Sequence, residues 1–74
     1  MDEILFKQQV GRRLSTIRRK KDVTQKTLAA ALGIGVSTIS RIEHGRISPT
    51  FFQIYQAALY LDCTVGDLIP GGSS

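Results

Sequence analysis

The chain has 74 residues, ten of them Lys or Arg and six Asp or Glu, which gives a formal net charge of +4 and a pI near 9.7. A chain this short holds one hydrophobic core, and a single cysteine (Cys63) with a single histidine (His44) excludes an internal disulfide and a Cys/His metal site. No apolar run reaches the roughly 18 residues that span a bilayer, and the acidic start Met1-Asp2-Glu3 is unlike a secretory signal, so a soluble cytoplasmic protein is expected, with no cofactor, membrane or small-molecule ligand.

The charge is unevenly placed. All ten basic residues fall between Lys7 and Arg46, where they meet only Asp22 and Glu43; this stretch carries +8, and the flanks, with Asp2, Glu3, Asp62 and Asp67, carry −4. One part of the molecule is built to meet a phosphate-rich partner.

From Ile4 to Lys21, Phe6, Val10, Leu14 and Ile17 recur at helical spacing and form one stripe of an amphipathic first helix. Its cationic end, Arg18 to Lys21, suits the negative C-terminus of a helix, and Asp22 closes it in the left-handed conformation. Read on its own, this run is a solvated helix end. Thr24 is the N-cap of a second helix from Gln25 to Leu32, built on Leu28, Ala29, Ala31 and Leu32 and stopped by Gly33. The link Gly33-Ile34-Gly35 leads to a third helix from Val36 to His44, with Gly35 at its cap, Ile39 and Ile42 inward and Gly45 as terminator.

After the loop Arg46-Ile47-Ser48-Pro49, Thr50 and Gln53 make a T-x-x-Q capping box that opens a fourth helix running to Leu61. Thr64 and Asp67 repeat the device for a last turn or two ending at Pro70. Residues 1–70 therefore read as one all-α domain of five helices, and Gly71-Gly72-Ser73-Ser74 as a flexible tail or linker.

The second and third helices, joined by a tight glycine turn, have the pattern of a helix-turn-helix. Ala29 is small where the third helix crosses the second, and Gly33 permits the positive φ of the turn. With Ile39 and Ile42 turned inward, the third helix presents Val36, Ser37, Thr38, Ser40 and Arg41. This face is short and polar, as a helix must be to enter a major groove about 12 Å wide. Ser and Thr hydroxyls bond several base edges, Arg41 bonds guanine or phosphate, and Val36 packs on a thymine methyl.

The segment T-Q-K-T-L-A-A-A-L-G-I-G-V-S-T-I-S-R-I-E-H-G resembles the helix-turn-helix of the phage-repressor and Cro family, the XRE type. The flanks V-G-R-R-L-S-T-I-R-R-K-K and S-P-T-F-F-Q-I-Y-Q-A-A-L-Y-L-D-C-T-V-G-D-L-I are similar to the family's first helix and to its fourth and fifth. The resemblance implies a compact lambda-repressor-like domain that regulates transcription, a repressor or controller binding double-stranded operator DNA as a homodimer. It places Val36, Ser37, Thr38 and Arg41 at base-reading positions and Gln25 on backbone phosphate, supporting the recognition helix. Thr24 and Lys26 stand at the same helix start, where main-chain amides add a phosphate site, and His44 with Arg46 lies beside phosphate. Arg18 and Glu43 match an Arg and a Glu that pair in this family.

Several positions depart from the family's pattern. Gly35 replaces a Ser or Thr cap, Asp22 and Asp62 stand where Gly is common, and Cys63 replaces a core Val as a small hydrophobe. The fourth helix departs most. Phe51, Ile54, Ala58 and Leu61 form the expected inward stripe, and Phe52, Tyr55 and Leu59 form a second, where the family is usually polar. This second stripe is expected to be a dimer interface, with Tyr60 and Val65 to Ile69 extending it. The rival reading is a protein-interaction module with the same fold, such as an antitoxin or anti-repressor. An enzyme lacks inventory, having no paired carboxylates, no nucleophile with a base and no metal set. Single-stranded RNA binding lacks aromatics among the basic residues.

Overall fold

The computed structural model describes residues 1–71, so most of the expected tail, Gly72 to Ser74, lies outside the described residues. Five helices follow one another: α1 (Glu3–Lys20), α2 (Gln25–Leu32), α3 (Val36–Glu43), α4 (Phe51–Leu61) and α5 (Val65–Leu68). The described residues contain no strand.

Each boundary has a local cause. At α1 it is Asp2, whose Oδ1 accepts from the Leu5 amide at 2.8 Å, so the helix begins at Glu3, before the expected Ile4. Its end comes at Lys20, with Lys21 as C-cap and Asp22 at φ +58°. Thr24 caps α2 by accepting from the Thr27 amide, and Gly33 at φ +70° ends it. α3 stops at Glu43, one residue short of the expected His44, and Gly45 at φ +74° turns the chain away. Both capping boxes, Thr50 with Gln53 and Thr64 with Asp67, are closed in both directions. In the second, the Thr64 amide and then its side chain hold the Asp67 carboxyl below the usual carboxylate range.

Val10 and Leu14 of α1, Leu28, Ala29 and Leu32 of α2, Ile39 and Ile42 of α3, Ile54, Ala57, Ala58 and Leu61 of α4 and Leu68 of α5 are buried together. α3 is held between α1 and α2, while α4 and α5 close the other side of the core. Phe51 is not part of it. It was expected on the inward stripe but is 68% exposed, at the first turn of α4, where Pro49 and Gln53 and not Phe51 border the core residues. Ala57 takes the place on the stripe instead. Leu68 likewise belongs to the core, not to the outer patch that Val65 to Ile69 was expected to extend.

Gly11 explains how closely α1 approaches α3. A Cβ there would lie 2.2 Å from the Ile42 carbonyl oxygen and 2.8 Å from that of Glu43. Glycine inside a helix costs about 1 kcal/mol relative to alanine, and here that cost lets the α1 backbone rest against the last carbonyls of α3. Gly11→Ala should therefore destabilise the domain by about 1–3 kcal/mol net of the propensity gained, because no rotamer change moves a backbone oxygen. Urea unfolding checks this; a stabilised variant would show that the contact relaxes.

Candidate nucleic-acid interface

Glu43 occupies an awkward position. It is the last residue of α3, where the helix dipole disfavours an anion, and its side chain is only 3% exposed. Arg18, in the last turn of α1 and 10% exposed, compensates it. The guanidinium donates from Nε to Glu43 Oε2 at 2.6 Å and from Nη2 to Oε1 at 3.0 Å, a bidentate pair. Its remaining arm donates from Nη1 to the Val23 carbonyl at 2.7 Å, just ahead of α2. Gln25, the first residue of α2, donates from Nε2 to Glu43 Oε1 at 2.8 Å. One carboxylate thus joins α1, the α1–α2 loop, α2 and α3.

α1 is shaped for this arrangement. Gly11, Ser15 and Arg18 are all buried on one face of the helix, so two small residues admit the end of α3 and the third reaches its carboxylate. The Gln25 amide carries two N–H donors. One is spent on Glu43, and the second is left for another acceptor.

The joint holds α3 so that Ile39 and Ile42 are buried while Val36, Ser37 and Arg41 are exposed and Thr38 and Ser40 half-buried. The five expected base-reading residues are thus those that α3 leaves at least partly accessible around the buried Ile39 and Ile42. Gly35 at its cap supplies no side-chain hydrogen bond. Thr24 and Lys26 are exposed at the start of α2, where Thr24 Oγ1 serves the Thr27 amide. At the other end of α3, His44 Nδ1 lies 2.7 Å from the Ser40 carbonyl, which fixes the proton on that nitrogen. His44, Ser40, Arg41 and Arg46 line a shallow cleft of about 180 Å³. Gln25 and His44 thus lie together beside Glu43, with Thr24 and Lys26 next to Gln25 at the start of α2 and Arg46 next to His44.

Phe52, Tyr55 and Leu59 lie outward on α4, 65%, 45% and 65% exposed, joined by Tyr60 and by the displaced Phe51. Burial pushes the Cys63 thiol up, with Asp67 and Asp62 adding and Lys21 opposing, so the residue stays a protonated, half-buried hydrophobe beside the core. No group of three or more acidic, His or Cys side chains among the described residues is placed to hold a metal. No described helix is long and apolar enough to cross a membrane.

A family model described as helix-turn-helix matches residues 14–68. The chain belongs to the helix-turn-helix family, in its XRE-type branch. The HTH-type transcriptional regulator YazB of Bacillus subtilis (strain 168) is 40% identical to it over 60 residues, 81% of this chain and 87% of that protein. The restriction-modification controller protein C.AhdI from Aeromonas hydrophila superposes with a TM-score of 0.80 at 28% identity, covering 85% of this chain and 96% of that one. Hydroxypropylphosphonic acid epoxidase from S. wedmorenis, at 24% identity and a TM-score of 0.83, shares the fold alone, since this chain spans 36% of it. The chain is thus a transcriptional regulator with a helix-turn-helix DNA-binding fold.

Within this helix-turn-helix, sequence reading missed two things. One was the Gln25 bond to Glu43, which no spacing rule reaches across 18 residues. The other was Gly11, whose signal was available: a glycine in the middle of a strong helical pattern is unfavourable unless something packs against it.

Because both charges are nearly buried, Arg18→Ala and Glu43→Ala should each cost about 3 kcal/mol, each leaving its partner uncompensated. The double variant should cost less than the sum, with a coupling of about 2 kcal/mol measured by urea unfolding. Additive losses would mean that the pair contributes nothing as a pair.

Proposed function

We propose that the domain is a cytoplasmic regulator that binds double-stranded operator DNA sequence-specifically as a homodimer, with α3 in the major groove. The observation that carries this reading is the outer side of α3. It is about 12 Å long by helical rise, carries no large apolar residue but Val36, and is held from behind by a buried joint that leaves it little freedom. A base-reading helix needs these properties, because bidentate contacts discriminate only when their geometry is fixed.

Arg41, with Ser37, Thr38, Ser40 and Val36, reads base edges. Thr24, Gln25, Lys26, His44 and Arg46 hold phosphates beside it. Concentration of basic residues between Lys7 and Arg46 supports this, as the same half that carries the joint carries the positive field. Similarity to a restriction-modification controller supports the regulatory role.

Homodimerisation is supported by the α4 surface. Phe51, Phe52, Tyr55, Leu59 and Tyr60 leave on one short helix an apolar patch that the monomer does not cover. A twofold pair reads two half-sites about 34 Å apart, which gives the specificity that one eight-residue helix lacks.

Two substitutions separate reading from holding. Arg41→Ala should lose about 1–3 kcal/mol on the preferred site and little on random duplex, whereas Arg46→Ala should weaken all sequences alike and flatten the salt slope by about one unit. Equal losses for Arg41→Ala on both DNAs would remove it from the reading face.

Assembly is tested separately. Leu59→Glu sets two like charges across the twofold axis and should give folded monomers by sedimentation, with weak half-site binding. A Leu59→Glu dimer that binds the full operator unchanged would place the interface elsewhere.

A further inference from the structure

Along the side of α1 next to the Glu43 joint runs an open polar cleft of about 510 Å³, bounded by Arg12, Thr16 and Arg19 on α1, Gln25 on α2 and His44 after α3. Arg12 and Arg19 are two helical turns apart, about 10 Å along the axis, and both are exposed. The only acid in the cleft is Glu43, whose carboxylate is taken by Arg18 and Gln25. Among the described residues neither Arg12 nor Arg19 is in an ion pair. The cleft therefore has two uncompensated guanidinium groups, a free Gln25 N–H and no uncompensated negative charge.

We infer that this α1 edge is a further DNA-backbone site, in which Arg12 and Arg19 hold the phosphodiester chain as it passes the Gln25 and His44 end of the recognition helix. The proposal rests on the duplex-DNA reading above and adds residues that reading does not use. The occupant is a polymer backbone, since the cleft is open along α1 and is continuous, through Gln25 and His44, with the phosphate positions beside α3. Planar guanidinium groups suit phosphate oxygens, which accept in pairs. The site positions and does not read, because no base edge is reachable from groups spent on backbone oxygens.

Binding to a random-sequence duplex is measured across about 50–200 mM salt for the wild type and three variants. Arg12→Ala with Arg19→Ala should flatten the log K against log salt slope by about two per bound protomer, a loss on the order of tenfold for each arginine at 0.1 M salt. Arg12→Lys with Arg19→Lys should keep most of the slope. Lys20→Ala with Lys21→Ala removes the same charge from the far side of α1, beside Asp62 and Cys63, and should retain the wild-type slope. Circular dichroism confirms that each variant is folded; if the alanine pair is not, Arg12→Gln with Arg19→Gln removes the same two charges, and a slope flattened by about two upholds the site whereas the wild-type slope overturns it. Equal flattening by both alanine pairs would show only a diffuse field, and no flattening by the Arg12/Arg19 pair would overturn the site while leaving duplex binding intact. A wild type that fails to bind duplex at all would overturn the underlying reading, and the site with it.

Discussion

The Glu43 carboxylate is the constraint on which the rest of this molecule depends. An anion at a helix C-terminus, nearly out of water, is unfavourable twice over, by dipole and by desolvation. It is tolerable only because Arg18 meets it bidentately and Gln25 adds a third hydrogen bond. Meeting it in turn requires α1 to lie hard against the end of α3, which requires Gly11 and Ser15 on that face. The local costs, a glycine inside α1 and a charge at the wrong helix end, are thus parts of one arrangement that fixes the direction of α3. In a domain this small, whose apolar core alone supplies limited stability, such a joint fixes how α3 sits against α1 and α2.

The same arrangement divides the surface by use. Behind α3 the charges are buried and mutually satisfied, while Arg12, Arg19, Lys26, Arg41 and Arg46 are among the cations left exposed on and around it. α4 carries the opposite chemistry, an outward apolar patch with no charged residue between Phe51 and Leu61. On the proposed function, the positive side meets DNA and the apolar side meets a second copy.

Much of this was legible in the sequence, because it rests on local rules. Thr24, Thr50 with Gln53 and Thr64 with Asp67 marked three helix starts, and Gly33 and Gly45 marked two ends, since capping geometry is decided within four residues. Asp22 and Asp62 adopt the left-handed conformation that their positions demanded. The Arg18–Glu43 pair was reached only through family resemblance, as nothing local joins residues 25 apart. Phe51 failed because helical periodicity says which side a residue lies on, and not how far the core extends along the helix. The cleft on α1 failed for a related reason: Arg12 and Arg19 look like an ordinary solvated face until the fold brings Gln25 and His44 beside them.

On the proposed function, α3, held by this joint, reads duplex DNA as one of a twofold pair. Selection of bound duplexes from a random-sequence pool tests it most directly. The selected duplexes should converge on two inverted copies of a short motif whose centres lie about one helical turn, roughly 10–10.5 base pairs, apart. A pool that stays random after repeated rounds, although the folded protein retains duplex, would contradict it.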